Sequence, residues 1–136
     1  MEPSMPVPEG ITNEPLWRKH CRKIHARVRD LLDGRMGVIE TARALYPLAV
    51  WTRVENDPDF TLFRAIESET DHLPVGPVRQ KWAAHALARE DMKIRAAEDH
   101  WRQEALAAAA RLAERYKWAV ERQSTDPHQR TPQHVA

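Results

Sequence analysis

Cysteine and glycine are scarce: the chain of 136 residues has one of the former and four of the latter. A single thiol cannot form an internal disulfide, so a stapled secreted scaffold is excluded, and Cys21 fits a reducing compartment. The glycines, at positions 10, 34, 37 and 76, never reach the spacing of a phosphate-binding loop. No apolar run approaches the roughly 20 residues that span a bilayer, so no membrane association is expected. Residues 1–10 lack a basic start followed by an apolar stretch, which argues against a signal peptide. The expected location is cytoplasmic. Metal chemistry lacks its usual signatures: there is no HExxH, no second cysteine for a zinc knuckle, no two Glu-x-x-His motifs on facing helices as di-iron bundles need and no carboxylate ladder of the helical pyrophosphatases. Neither cofactor, metal nor catalytic residues are therefore expected, and the chain reads as a non-enzyme.

What remains is a helix-forming chain of one domain. Residues 1–13 read as a flexible Pro-rich arm, 14–122 as the helical domain and 123–136 as a flexible tail. Asn13 can cap a first helix with Pro15 in its first turn, and Trp17, Cys21, Ile24, Val28 and Leu31 recur at spacings of four and three until Gly34. A second helix follows from Met36 or Gly37, and Pro47 is expected to kink or split it. Asp57 and Pro58 then open a third, with Phe60, Phe63 and Ile66 on one face. LPVGP ends that helix, and Pro77 is expected to start a fourth bearing Val78 and Trp82. From Ala84 to Arg122 there is no Gly or Pro, and Leu87, Ile94, Trp101, Ala105, Leu112, Tyr116 and Ala119 keep helical spacing. As one helix this segment would be about 58 Å long, more than the diameter of a compact globule of this size. It therefore breaks, elongates the molecule or reaches a partner; self-association through it would give a homo-oligomer. The expected fold is all-α, an elongated bundle of four or five helices with disordered termini.

Charge is balanced overall, 21 Lys and Arg against 20 Asp and Glu, but not locally. Arg18, Lys19, Arg22, Lys23, Arg27 and Arg29 face only Glu14 between residues 11 and 29, a surplus of five positive charges. Arg18, Lys19, Arg22 and Lys23 form a candidate basic face for phosphate backbones, although recognised nucleic-acid motifs are absent. Between residues 55 and 71, Glu55, Asp57, Asp59, Glu67, Glu69 and Asp71 oppose Arg64 alone, a surplus of five negative charges. Capping accounts for Asp57 and Asp59. Glu67, Glu69 and Asp71 sit at a helix C-terminus, where the macrodipole disfavours anions by about 0.3–1 kcal/mol each. Two readings stay open: internal salt bridges, with Arg79 forking onto Glu69 or Asp71, or an epitope of Glu67, Glu69, Asp71, His72 and Arg79 that engages a protein partner.

The stretch DPDFTLFRAIESETDHLPVGPVRQKWAAHALAREDMKI resembles a family of small bacterial proteins of uncharacterised activity. The resemblance rests on Asp57 to Phe60, Ser68 to Asp71, Leu73 to Gly76, Arg79, Trp82, Ala86, Leu87 and Asp91. It implies a short cytosolic protein, brings no reaction, and directs attention to the turn between Ser68 and Arg79. The functional expectation is a binding protein docking a partner through the acidic epitope, an immunity protein that neutralises a bacterial toxin being the most concrete instance. A nucleic-acid-associated or regulatory role for the basic first helix is the alternative.

Overall fold

A computed structural model describes residues 5–124 of the chain. Residues 1–4 of the expected N-terminal arm, and the expected tail from residue 125 on, lie outside the described residues. Helix α1 (Glu14–Leu32) starts where the Asn13 side chain accepts the Leu16 amide at 3.0 Å, and it buries the whole predicted stripe, Trp17, Cys21, Ile24, Val28 and Leu31. Gly34, at φ +80°, supplies the left-handed residue just past its end. Residues 5–13 form no helix, as their prolines dictate, yet Met5 and Ile11 rest against the core.

Helix α2 (Val38–Trp51) continues through Pro47, so of the expected kink or split the split does not occur. Proline removes only its own amide from the ladder, and α2 is gripped on both sides of it by the buried Ala42, Leu45, Leu48 and Ala49. Packing thus holds a helix that propensity alone would interrupt. Its C-terminus closes with Arg53 N–H on the Val50 carbonyl and Val54 N–H on the Ala49 carbonyl, while Arg53 takes φ +64°. That is the Schellman pattern with arginine where glycine is usual.

Helix α3 (Pro58–Thr70) is capped by Asp57, whose side chain accepts the Asp59 amide, and it buries Phe60, Phe63 and Ile66. The expected fourth helix is not there. Gly76–Lys81 makes a 3-10 turn, with Gly76 at φ +86°, and both Val78 and Trp82 are exposed. The two prolines at 74 and 77 each deny a backbone donor, so the segment tightens instead of propagating an α-helix. Helix α4 (Ala84–Arg115) follows, about 48 Å long. The helical run breaks at Tyr116, and α5 (Lys117–Ser124) packs on α1, where Trp118 stacks on Trp17 at 5.6 Å.

Helix α1 packs on α2 and α4, and α3 packs on the same two. The basic helix and the acidic one therefore lie across the bundle from each other, and none of the ion pairs among the described residues joins them. The near-zero net charge is the sum of two separated poles.

Candidate functional site: the acidic end of the bundle

Two tertiary contacts set the height of α4 against the other helices. Near its C-terminus, Arg111 donates to Asp59 Oδ1 through Nε and Nη2 at 3.0 and 2.8 Å, and Arg115 reaches Asp59 Oδ2 at 2.7 Å and Asp57 at 3.1 Å. Asp59 is only 8% exposed, so this carboxylate does more than cap: it locks the start of α3 to α4. The hydrogen bond from Arg111, reinforced by Arg115, holds its carboxyl below the ordinary value. Toward the other end, Glu98 accepts the amides of Val38 and Ile39 at 2.8 and 2.9 Å. It closes an N-terminus that has no cap of its own, since Gly37 offers no side chain. A Cβ on Gly37 would lie 3.0 Å from Glu98 Oε2, so glycine admits the carboxylate to the helix end.

These contacts fix the direction of the remainder. From Arg111 to Glu98, α4 runs alongside the core; from Ala84 to residue 97 it continues past the N-terminus of α2 for about 20 Å. The buried residues of α4 begin only at Ala105. On the projecting half, Leu87, Asp91, Ile94, Glu98 and Trp101 form a half-buried stripe at spacings of four and three. Apolar residues and carboxylates alternate along it. Each carboxylate has its partner on another segment, Glu98 on α2 and Asp91 on the 3-10 turn.

The C-terminus of α3 meets this projecting half. Arg43 of α2 donates to the carbonyls of Thr70 at 2.6 Å, Leu73 at 3.0 Å and Val75 at 3.4 Å, so a guanidinium caps the helix end and the turn that leaves it. This is the compensation for the macrodipole that the local sequence lacked, and it comes from α2 rather than from Arg79, Lys81 or α1. Thr70, also buried, returns its hydroxyl to the Ile66 carbonyl at 2.6 Å.

Arg79 does not join the acidic cluster. Its Nη1 and Nη2 grip Asp91 at 2.6 and 3.1 Å, and Nη1 also reaches the Pro74 carbonyl at 3.2 Å. The pair depresses the Asp91 carboxyl below its ordinary value, and it staples the turn to α4. With Arg79 occupied, Glu67, Glu69 and Asp71 have no Lys or Arg partner among the described residues; Asp71 has only exposed His72, at 3.9 Å. Exposed Val78 and Trp82 follow directly in the chain. Glu67, Glu69, Asp71 and His72 thus lie at the C-terminal end of α3, while Arg79, expected among them, is engaged on Asp91 instead.

At the basic pole, Arg18 is engaged. It pairs with Glu14 at 2.9 Å and its guanidinium lies 5.8 and 5.5 Å from the rings of Trp17 and Trp118. Lys19, Arg22 and Lys23 enter no ion pair among the described residues and lie on the side of α1 away from its buried stripe. Cys21 is fully buried, and burial pushes its thiol up to about 12, which removes it from nucleophilic chemistry. Among the described residues no group of three or more His, Cys, Asp or Glu is placed to hold a metal ion, and no described helix is long and apolar enough to cross a membrane.

The contributions of Arg43, Glu98, Arg111 and Arg115 were missed in the sequence because each acts across 27 residues or more. One signal was available: Asp91 and Glu98 repeat at the same seven-residue interval as Leu87, Ile94 and Trp101. Carboxylates inside an apolar stripe call for partners on a neighbouring segment. No protein-family model, curated protein or solved structure matches the chain.

Proposed function

We propose that this chain is a non-enzymatic binding protein that docks a basic protein partner on its acidic end. One observation carries the reading: among the described residues Glu67, Glu69 and Asp71 have no Lys or Arg partner, on a helix C-terminus that Arg43 has already capped. Arg43 answers the helix-end carbonyls, but among the described residues no Lys or Arg pairs with the three carboxylates themselves. Three further features favour a docking role. The surface is held rigid by the Arg43 and Arg79 clamps, so little ordering entropy is lost on binding. Exposed Trp82 and Val78, on the 3-10 segment that follows α3, are available as apolar anchors. The projecting half of α4 offers a face that this chain only half covers. A partner with a positively charged functional surface fits this chemistry, and an immunity protein covering the active site of a nucleic-acid-cleaving toxin is the most concrete case.

A photo-crosslinking residue at Glu69 tests the reading in the source cell, with the same residue at Lys19 as the comparison. The expected adduct forms from position 69 with a basic protein. With that protein purified, the triple reversal E67K/E69K/D71K weakens binding about a hundredfold, roughly 1 kcal/mol per charge, and the affinity falls with salt. An unchanged dissociation constant overturns the proposal.

The second reading uses the opposite pole, where Lys19, Arg22 and Lys23 enter no ion pair among the described residues. It requires that a labelled oligonucleotide bind at low salt and that alanine at Lys19, Arg22 and Lys23 remove both the binding and its salt slope. Absence of binding at low salt eliminates it.

A further inference from the structure

The end of the bundle remote from the acidic cluster holds a cleft of about 440 Å³ between the N-terminal arm, the first turns of α1 and the end of α2. Its lining is mainly apolar: Ile11, Leu16, Trp17, His20 and Trp51, with Gly10 at the rim. A volume of this order is that of a small-molecule site. Two of the residues are placed against their own burial preference, since Leu16 is 44% exposed and Trp51 54% exposed. His20 stacks on one face of Trp51 with ring centroids 4.9 Å apart and 28° between planes, which fixes the indole in the lining.

Three cations stand next to lining residues of this slot, although none lines it. Arg53 lies two residues beyond Trp51, and its guanidinium packs over Gly10, where a Cβ would meet Cζ at 3.4 Å. Lys19 and Lys23 flank His20 on α1 closely enough to disfavour its protonation, adding to the effect of burial. Neither lysine nor Arg53 enters an ion pair among the described residues, and Glu14, the nearby carboxylate of α1, is taken by Arg18. Arg53 also holds a left-handed backbone conformation, φ +64°, in a motif that glycine would complete without strain. A left-handed arginine with no ion pair among the described residues, beside an open aromatic slot, is the kind of outlier that marks a ligand site.

We propose that this cleft binds a small aromatic carboxylate, its ring stacked on Trp51 and its carboxylate turned toward Arg53 and the lysines of α1. The apolar slot selects the ring; the three cations select the anion. A neutral aromatic gains the stacking and loses the charge-assisted hydrogen bonds.

The probe is 2-naphthoate, titrated into the full-length protein by calorimetry, with 2-naphthylmethanol as the uncharged counterpart. The expected result is saturable binding of one naphthoate per chain, about tenfold weaker binding of the alcohol, and loss of naphthoate binding in W51A. R53G weakens naphthoate at least several-fold while raising the urea midpoint, because it relieves the backbone strain; that opposite movement separates a ligand role from a structural one. Circular dichroism verifies that both variants fold, and Trp51 and Arg53 are exposed enough for them to do so. Absence of saturable binding at millimolar probe, equal affinity for the alcohol, or an R53G protein that binds naphthoate as well as the parent overturns the proposal.

Discussion

Removing the Glu98 carboxylate is the perturbation whose consequence can be worked most fully from the geometry. In E98A, the amides of Val38 and Ile39 lose acceptors at 2.8 and 2.9 Å, and both residues are almost fully buried. An orphaned buried donor costs about 1–3 kcal/mol, and loss of an N-cap typically about 1 kcal/mol. Glu98 retains 16% side-chain exposure, so water replaces part of what is lost, and the expected cost is about 2–3 kcal/mol. With a urea m-value near 2 kcal/mol per molar, the unfolding midpoint falls by about 1–1.5 M at unchanged m. Gly37 supplies an internal control. In the parent, G37A forces its Cβ to within 3.0 Å of Glu98 Oε2 and displaces the carboxylate; in the E98A background that contact is gone and the same substitution costs less. The double-mutant cycle should therefore give a coupling of about 1 kcal/mol. A midpoint for E98A within 0.3 M of the parent, or additive costs for the two substitutions, would refute the idea that α4 caps α2.

Other expectations follow from the same contacts. D59A strips Arg111 and Arg115 of their shared acceptor, and because both guanidiniums reach solvent the cost is about 2–3 kcal/mol in urea unfolding, below that of a fully buried pair. The Asp59 carboxyl is depressed in the folded state, so its contribution is fully present above its unfolded value of about 3.9 and is lost as pH falls through the lower folded value; the parent should lose stability over that acid range more steeply than D59A. P47A restores an amide to α2 and should raise stability by about 1–3 kcal/mol, read as a higher melting temperature. Cys21 should react with a thiol reagent only as fast as the protein opens, so labelling that proceeds at a free-thiol rate in native buffer would contradict its burial.

The local elements were legible because their signals are local. The α1 stripe, the Asn13 and Asp57 caps and the Phe60, Phe63 and Ile66 face depend on residues three or four apart, and all are as the spacing predicts. The split allowed for at Pro47 and the helix expected from Pro77 are absent for opposite reasons. At Pro47 tertiary packing sustained a helix against propensity, whereas at Pro77 a permissible helix start met too few donors and no core to bury Trp82. The acidic end was half legible. Its residues stood out because they violate the dipole rule, but the capping arginine lies on α2, and Arg79 found Asp91 on α4 rather than the nearer carboxylates. Nothing in the first 53 residues announced that Gly10, His20, Trp51 and Arg53 would converge; only the bundle brings them together.

The central claim is that the two charged poles are separate surfaces and that the acidic one receives the partner. Chemical-shift mapping of the isotope-labelled chain against the protein captured at position 69 tests it most directly. The account predicts perturbations concentrated at Glu67 to Asp71, Val78 to Trp82 and the exposed side of α4 before Glu98, with Lys19 to Lys23 unmoved. Perturbations centred on Lys19 to Lys23, with the acidic end silent, would contradict it.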